Sequence, residues 1–519
     1  MRNGYMRSFF SIAALVIILA YRYSLFIQGG EFADDPGVGW HFKTGQQILE
    51  TLKVPYLDPF LAPTIVPALG LEPGQQRLWV CDQWLADLIL FVSKRVGGYP
   101  LVYALCAAIY LISFFGVVGD MTRESSRSAL CALAVTVLAF KLSEIHFILR
   151  PVLFSILFFT LTYRRIRAVA TVGAGELRQF GYTAVYLCVI FILWANMHPA
   201  FVEGLLLLAL AVPVLAFDKR SSRRRVIEMC ALLAVCAVAT LCNPRGIELH
   251  RSIFALAGDR YLLGLNQEWK PLLERGDFVG FFGVLFTILC VLPVLLAVWM
   301  RSRMAPGWVL DLVATIFFGV QAFLMMRCVP FVAIAAAPLA ARVYSELLGF
   351  QLPGVFNLSQ RCFAAVDKRE GKTLSWGSIA LVCAVIGIVA TWVAPGMVVQ
   401  EALGPSTKKY DLAIVSAIRN DAPRGVVYAS PNLGGFLTAS LYPDFRAVID
   451  DRNTLIGAEL YRRFFRSMES LQELQSIITT FGVTHLILEK DRAVMREAIE
   501  SEVCTILLES EQWSVCRVN

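Results

Sequence analysis

Long apolar runs broken by short polar ones fill the first four hundred residues. A helix needs roughly 17–25 apolar residues to cross a bilayer. Eleven runs meet or approach that length, near 8–28, 99–119, 129–144, 151–165, 181–196, 200–217, 226–242, 277–300, 307–326, 328–347 and 376–398. The pattern predicts a mainly α, polytopic membrane protein with about eleven transmembrane helices, occupying residues 1–398. The apolar segment Trp84–Val92 is about 14–18 Å long as a helix, too short to cross, and is expected to lie at the interface. From residue 399 the pattern changes to that of a soluble chain. RGVVYAS, FRAVID, VTHLILE and CTILLE are rich in β-branched residues and predict short buried strands. LGGFLTASL, ELYRRFFRSMESLQELQSII and RAVMREAIE between them predict helices. A small α/β domain with a largely parallel sheet is therefore expected over 399–519.

Composition sharpens this. Hydrophobic residues make up 57% of the 519, against about 45–50% in soluble domains even with glycine included. Mean hydropathy is +0.62. The formal charge of +7 does not indicate a nucleic-acid partner, because the basic residues are dispersed in short clusters between apolar runs. Arg2/Arg7, Arg123/Arg127, Arg164/Arg165/Arg167, Lys219/Arg220/Arg223/Arg224/Arg225, Arg301/Arg303 and Lys368/Arg369/Lys372 all fall on one side if the N-terminus is cytoplasmic. The positive-inside bias thus predicts an N-in, C-out protein of a bacterial inner membrane, with its terminal domain extracytoplasmic. Lys94 and Arg95 run against the bias. The first run shows no small-x-small cleavage site and is read as an uncleaved span. The 13 cysteines form no CxxC or Cys/His zinc spacing, and most lie in apolar runs; Cys504 and Cys516 suit either a disulfide or two free thiols.

With that orientation the outer side carries segments 29–98 and 243–276, the terminal domain, and all five histidines at or near it. Candidate chemistry gathers there. Asp34 and Asp35 follow the first span on a Pro36-Gly37 turn, and adjacent carboxylates repel unless solvated, cation-bound or paired. They are candidate general bases, or oxygen ligands for a divalent cation such as Mg or Mn. A hydrated, helix-capping loop acid is the plain alternative. Arg150, Arg245 and Arg327 stand at outer span ends, where an arginine beside apolar walls suits a lipid-linked phosphate. His198 suits phosphate binding, proton transfer or helix–helix bonding, and His41 lies in the same outer layer. Gly434-Gly435 opens a helix after a strand, a weak anion-site signal; Asp450, Asp451 and Arg452 follow a strand, as crevice groups or as a structural ion pair.

The acid after the first span, then WHFKTGQQIL…PYLDPF and the Trp-Leu segment, are similar to polytopic bacterial proteins related to the GT-C glycosyltransferases. So are RPVLFS, WANMHPAF, NPRG, EWKP, RCVPFVAIAAAP, NLGGFL and VIDDR. That resemblance implies a polyprenyl-phosphate sugar donor, a glycan or lipid acceptor, and Asp34 or Asp35 as the matching catalytic or metal-binding acid. No sequon-binding motif is present, so oligosaccharyl transfer is not implied. Where that group carries an acid before Trp-Leu, this chain has Gln83, with Asp82 one position earlier. Two other readings remain open: a lipid or solute transporter using Arg22, Lys141, Glu144, Glu203 and Asp311, and a non-catalytic envelope scaffold.

Overall fold

The computed structural model describes residues 32–62, 78–172, 177–219, 221–274, 280–304, 307–351, 405–406 and 409–519. The spans expected at 8–28 and 376–398 lie outside them. Helix α1 (Val38–Thr51) belongs to the first outer segment. A long kinked rod, α2 (Trp84–Ser125), follows. Then come α3 (Ala129–Ser143), α4 (Val152–Val172), α5 (Leu177–Met197), α6 (Phe201–Phe217) and α7 (Arg223–Ala239). Two shorter helices, α8 (Ile247–Gly258) and α9 (Arg260–Leu265), lead to α10 (Phe281–Trp299), α11 (Trp308–Leu324) and α12 (Val329–Gln351).

Among the described residues four helical stretches are long and apolar enough to cross a membrane: Trp84–Ser125, Phe180–Met197, Phe281–Trp299 and Met326–Gly349. The last is the central pillar, with 94% of its apolar window buried. Its run Ala333–Ala337 is fully buried, and such small side chains let neighbouring helices approach closely. The window in Phe281–Trp299 is only 33% buried, and Leu295 and Trp299 face outward from it, as on a lipid-facing helix.

The expected interfacial helix is the first part of α2. The rod breaks at Gly97 and at Gly98, whose φ of 62° with ψ of −164° is a conformation that only glycine adopts without strain. Past the break α2 runs through a π-helical stretch, Ile112–Val118. Lys94 folds back over the rings of Phe42 and Tyr99, 4.2 and 4.7 Å from their centroids. Such cation–π seating accommodates a cation that runs against the topological bias.

The terminal region holds α13 (Leu412–Asp421), β1 (Gly425–Tyr428), α14 (Pro431–Leu441), β2 (Phe445–Ala447), α15 (Asn453–Ser467) and α16 (Leu471–Phe481). After these come β3 (His485–Glu489), α17 (Ala493–Glu500), β4 (Cys504–Glu509) and β5 (Trp513–Val518). The sheet order is β2-β1-β3-β5-β4. It is mixed, which corrects the expectation of a largely parallel sheet. β1 pairs in parallel with β2 and β3, but β5 is antiparallel to both β3 and β4. The turn at 510–512 is too short for a crossover and makes a hairpin instead. Cys504 and Cys516 are buried free thiols.

The first outer segment is built into this domain. Ala62 N–H donates to the Ala447 carbonyl at 2.9 Å, covering part of the β2 edge. Trp40, Phe60, Leu61 and Trp79 join Tyr428, Ile449 and Ile456 in one hydrophobic core. Arg452 clamps the joint. It donates to Asp450 and to Asp58, each at 2.8 Å, with its guanidinium 4.5 Å from the Trp79 ring centroid.

Candidate functional site

Two backbone contacts bring together the helix ends that lie toward the terminal domain. Leu149 N–H donates to the Phe32 carbonyl at 2.9 Å, setting the Asp34-Asp35 turn beside Arg150. Met326 N–H donates to the Lys270 carbonyl at 3.2 Å, setting Glu268 and Trp269 beside Arg327.

The neighbouring acids separate. The Asp34 carboxylate accepts from Ser406 N–H at 2.6 Å, and its carbonyl accepts from Lys409 Nζ at 2.6 Å and Tyr410 O–H at 2.9 Å. Asp34 therefore fastens the stretch entering the terminal domain. Asp35 turns inward, where its Oδ1 accepts from Gly37 N–H at 2.9 Å and its Oδ2 is ion-paired with the Arg150 guanidinium. Arg150 also holds Glu268 at 2.5 Å. Burial works to raise the Glu268 carboxyl, but Arg150, with His146 and Arg327 beyond it, overrides burial and holds it at about 2.

Arg327 is the other cation. The described residues include no carboxylate in ion-pair contact with it; it donates to His198 Nε2 at 3.1 Å and lies 5.6 Å from the Trp269 ring centroid. A guanidinium only donates, so His198 Nε2 faces Arg327 as an acceptor. Nδ1 lies 2.9 Å from Ser155 Oγ, which accepts from Trp194 Nε1 at 2.7 Å, and 3.2 Å from the donating N–H of Ala200. Burial, followed by the charges of Arg327, His41 and Arg150, drives His198 well below the ordinary histidine range. His198 is a neutral acceptor that aims Arg327.

His41 Nδ1 and Asp87 Oδ1 are 2.6 Å apart, with the imidazole stacked on Trp40. Asp82 lies near enough to feel His41 and Arg327, and burial raises its carboxyl. Arg245 does not join the group: it donates to the carbonyls of Pro55 and Trp79, each at 2.6 Å, and covers the Tyr56 ring. Gly434 and Gly435 are packing positions. A Cβ on Gly435 would lie 2.0 Å from the Pro36 carbonyl oxygen, and one on Gly434 would lie 2.6 Å from that of Ile449.

Sequence reasoning left Asp451 unresolved within its acidic pair. Asp450 is fully buried against Arg452. Asp451 instead faces the first outer segment, with Oδ1 accepting from Trp40 Nε1 at 2.8 Å. A Cβ on Gly37 would be 3.1 Å from Asp35 Oδ1 and 3.2 Å from Asp451 Oδ2, so the two carboxylates flank one point. Burial, then the charges of Asp35 and Asp450, lifts the Asp451 carboxyl well above the ordinary range. The signal in the sequence was the strand-end position of VIDDR, which could not say which Asp turns outward.

The divalent-cation expectation for Asp34 and Asp35 does not fit these residues. One acid is held by backbone N–H and the other is neutralised by Arg150, and no group of three or more His, Cys, Asp or Glu among the described residues is placed to hold a metal.

No family model matches the chain, and no curated protein matches it in sequence. Solved structures do. The Archaeoglobus fulgidus oligosaccharyltransferase tethered to an acceptor peptide aligns at TM-score 0.54 and 11% identity, covering 92% of this chain and 69% of that one. The oligosaccharyltransferase AglB from the same organism, in complex with an inhibitory peptide and a dolichol-phosphate, aligns at 0.54 and 12%, covering 93% and 70%. ArnT from Cupriavidus metallidurans, bound to undecaprenyl phosphate, aligns at 0.50 and 12%, covering 98% and 97%. At these identities the likeness is one of fold: the chain resembles the polytopic GT-C class of membrane glycosyltransferases.

Proposed function

We propose that the protein is a glycosyltransferase of a bacterial inner membrane, moving a sugar from a polyprenyl-phosphate-linked donor to an envelope lipid or glycan acceptor on the outer face. On this reading residues 1–398 form a membrane domain of about eleven spans, N-terminus inside, and 399–519 form the extracytoplasmic domain. The observation that carries it is Arg327, a guanidinium held by neutral His198 at the outer end of the central helix, with no carboxylate ion-paired to it among the described residues. A phosphate is the anion that a half-buried guanidinium without a carboxylate partner suits best. The named complexes of AglB and ArnT hold dolichol-phosphate and undecaprenyl phosphate, the same carrier chemistry. Arg150 is held between Asp35 and Glu268, so its charge is taken up by those two carboxylates and Arg327 is left as the cation open to an anion.

The charges that would mark a transport pathway are largely satisfied by neighbours. Asp311 is paired with Arg167 and bonded by Tyr163, each at 2.8 Å, and Lys141 is paired with Glu144; Glu203 accepts from Gln321 at 2.7 Å through Oε1 alone, and Arg22 lies outside the described residues. This favours enzyme over transporter.

The test is undecaprenyl phosphate binding to the full-length protein in nanodiscs, followed by transfer of labelled sugar from undecaprenyl-phosphate-linked donors to an envelope extract. Wild type should bind, and Arg327→Gln should weaken binding by about 10–100-fold, the loss expected for one charge-assisted contact. A wild-type protein that does not bind the carrier, or a variant that binds it unchanged, overturns the reading.

A further inference from the structure

The first-segment acids are poorly placed to take a proton. Asp35 spends Oδ1 on Gly37 N–H and Oδ2 on Arg150, and the guanidinium neutralises its charge. The Asp34 carboxylate is tied to Ser406 N–H, and its backbone carbonyl to Lys409 and Tyr410, at the stretch entering the terminal domain. A carboxylate in either condition is a weak base, because protonation would break an ion pair or a tether.

Asp451 is differently held. Its Oδ1 has a single N–H donor, Trp40 Nε1. No donor among the described residues reaches its Oδ2, which lies over Gly37, where no side chain covers it. The residue is partly exposed, whereas Asp450 and Arg452 beside it are buried in the clamp. Its surroundings come from three elements: Asp35 and His41 from the first outer segment, Asp450 from its own loop, and Tyr410 from the stretch before α13.

We infer that Asp451, supplied by the terminal domain, is the general base of the transfer, while Asp35 is a positioning residue that holds Arg150. This rests on the glycosyl-transfer reading. In the step, the acceptor hydroxyl oxygen forms a bond to the sugar's anomeric carbon and gives its proton to Asp451 Oδ2. The bond from that carbon to the phosphate oxygen breaks, and its electron pair leaves on polyprenyl phosphate. Charge and atoms balance without a further reactant.

The experiment measures carrier binding and turnover separately, in full-length protein carrying Asp451→Asn or Asp451→Glu. The amide can still accept from Trp40, so Asp451→Asn keeps the packing. Expected are undecaprenyl phosphate binding within about twofold of wild type and labelled-sugar turnover lowered by about 10²–10⁴-fold in Asp451→Asn, with partial recovery in Asp451→Glu. Unchanged turnover in Asp451→Asn overturns the inference. So does a loss of carrier binding that accounts for the whole loss of turnover, because that is a positioning effect. Failure of the wild type to bind the carrier would instead overturn the underlying reading.

Discussion

Asp35 and Asp451 sit 416 positions apart in the chain and flank one point in space, and their difference in partners separates their duties. A base works only when ionised, and the Asp451 carboxyl is raised, by burial first and by the Asp35 and Asp450 charges next. Turnover should therefore be full at high pH and fall on acidification at a pH above the ordinary Asp value of about 4. Removing the Asp35 charge lowers the Asp451 carboxyl, so the residual activity of Asp35→Asn should show that fall displaced to lower pH; a profile of kcat against pH measures it. Gly37 gives a steric test. Its φ of −79° suits any residue, so Gly37→Ala should leave stability within about 1 kcal/mol. Its new methyl would press on both carboxylate oxygens from 3.1–3.2 Å, and turnover should drop at least tenfold with Tm nearly unchanged. Which Asp of VIDDR faces outward was not legible in sequence: Asp450 is taken by Arg452, and the other arm of Arg452 is taken by Asp58, 394 positions away. Arg327 was visible as a span-end arginine and Glu268 only within the EWKP motif; the pairing of Glu268 with Arg150 and the lack of a carboxylate on Arg327 among the described residues arise from tertiary contact.

At the scale of elements, α1 and α14 meet backbone to backbone. A Cβ on Gly39 would lie 1.9 Å from the Gly435 carbonyl oxygen, closer than real contacts allow. Gly435→Ala should therefore push α1 off α14 and shift the Asp35 turn with it. A loss of about 1–3 kcal/mol is expected from overpacking, read as a lower Tm together with lower turnover. The Gly98 break asks for the same kind of test: Gly98→Val puts a β-branched side chain in a glycine-only conformation and should cost about 1–3 kcal/mol. Helices were largely legible from apolar length: the nine expected runs that fall among the described residues coincide with helices there, and four helical stretches are long and apolar enough to cross a membrane. The sheet was legible in four strands by β-branched density, while β5 (WSVCRV), which has as many β-branched residues as CTILLE, was not among the expected strands.

For the molecule as a whole, the hydrophobic core under the sheet is shared between the first outer segment and the terminal domain, and Arg452 is its keystone. Removing one member of a buried ion cluster leaves the others unpaired, at a cost of about 3–5 kcal/mol. Arg452→Ala should thus loosen the terminal domain from the membrane helices, seen as faster hydrogen exchange across β1 and β2 and as proteolysis near residue 405. Replacing Asp58, Asp450 and Arg452 together by apolar residues of similar volume should recover much of that stability, the contrast that separates an uncompensated charge from a lost contact.

The placement of Arg327 and Asp451 on opposite sides of this joint has a consequence for biogenesis. On the proposed reading the carrier's anchor is inserted first, and the proposed base, 124 positions later in the chain, reaches its place only after the terminal domain has been exported and docked. On that reading a chain still leaving the translocon would hold a lipid carrier without being able to discharge it, and docking of the terminal domain would be the switch that completes the site.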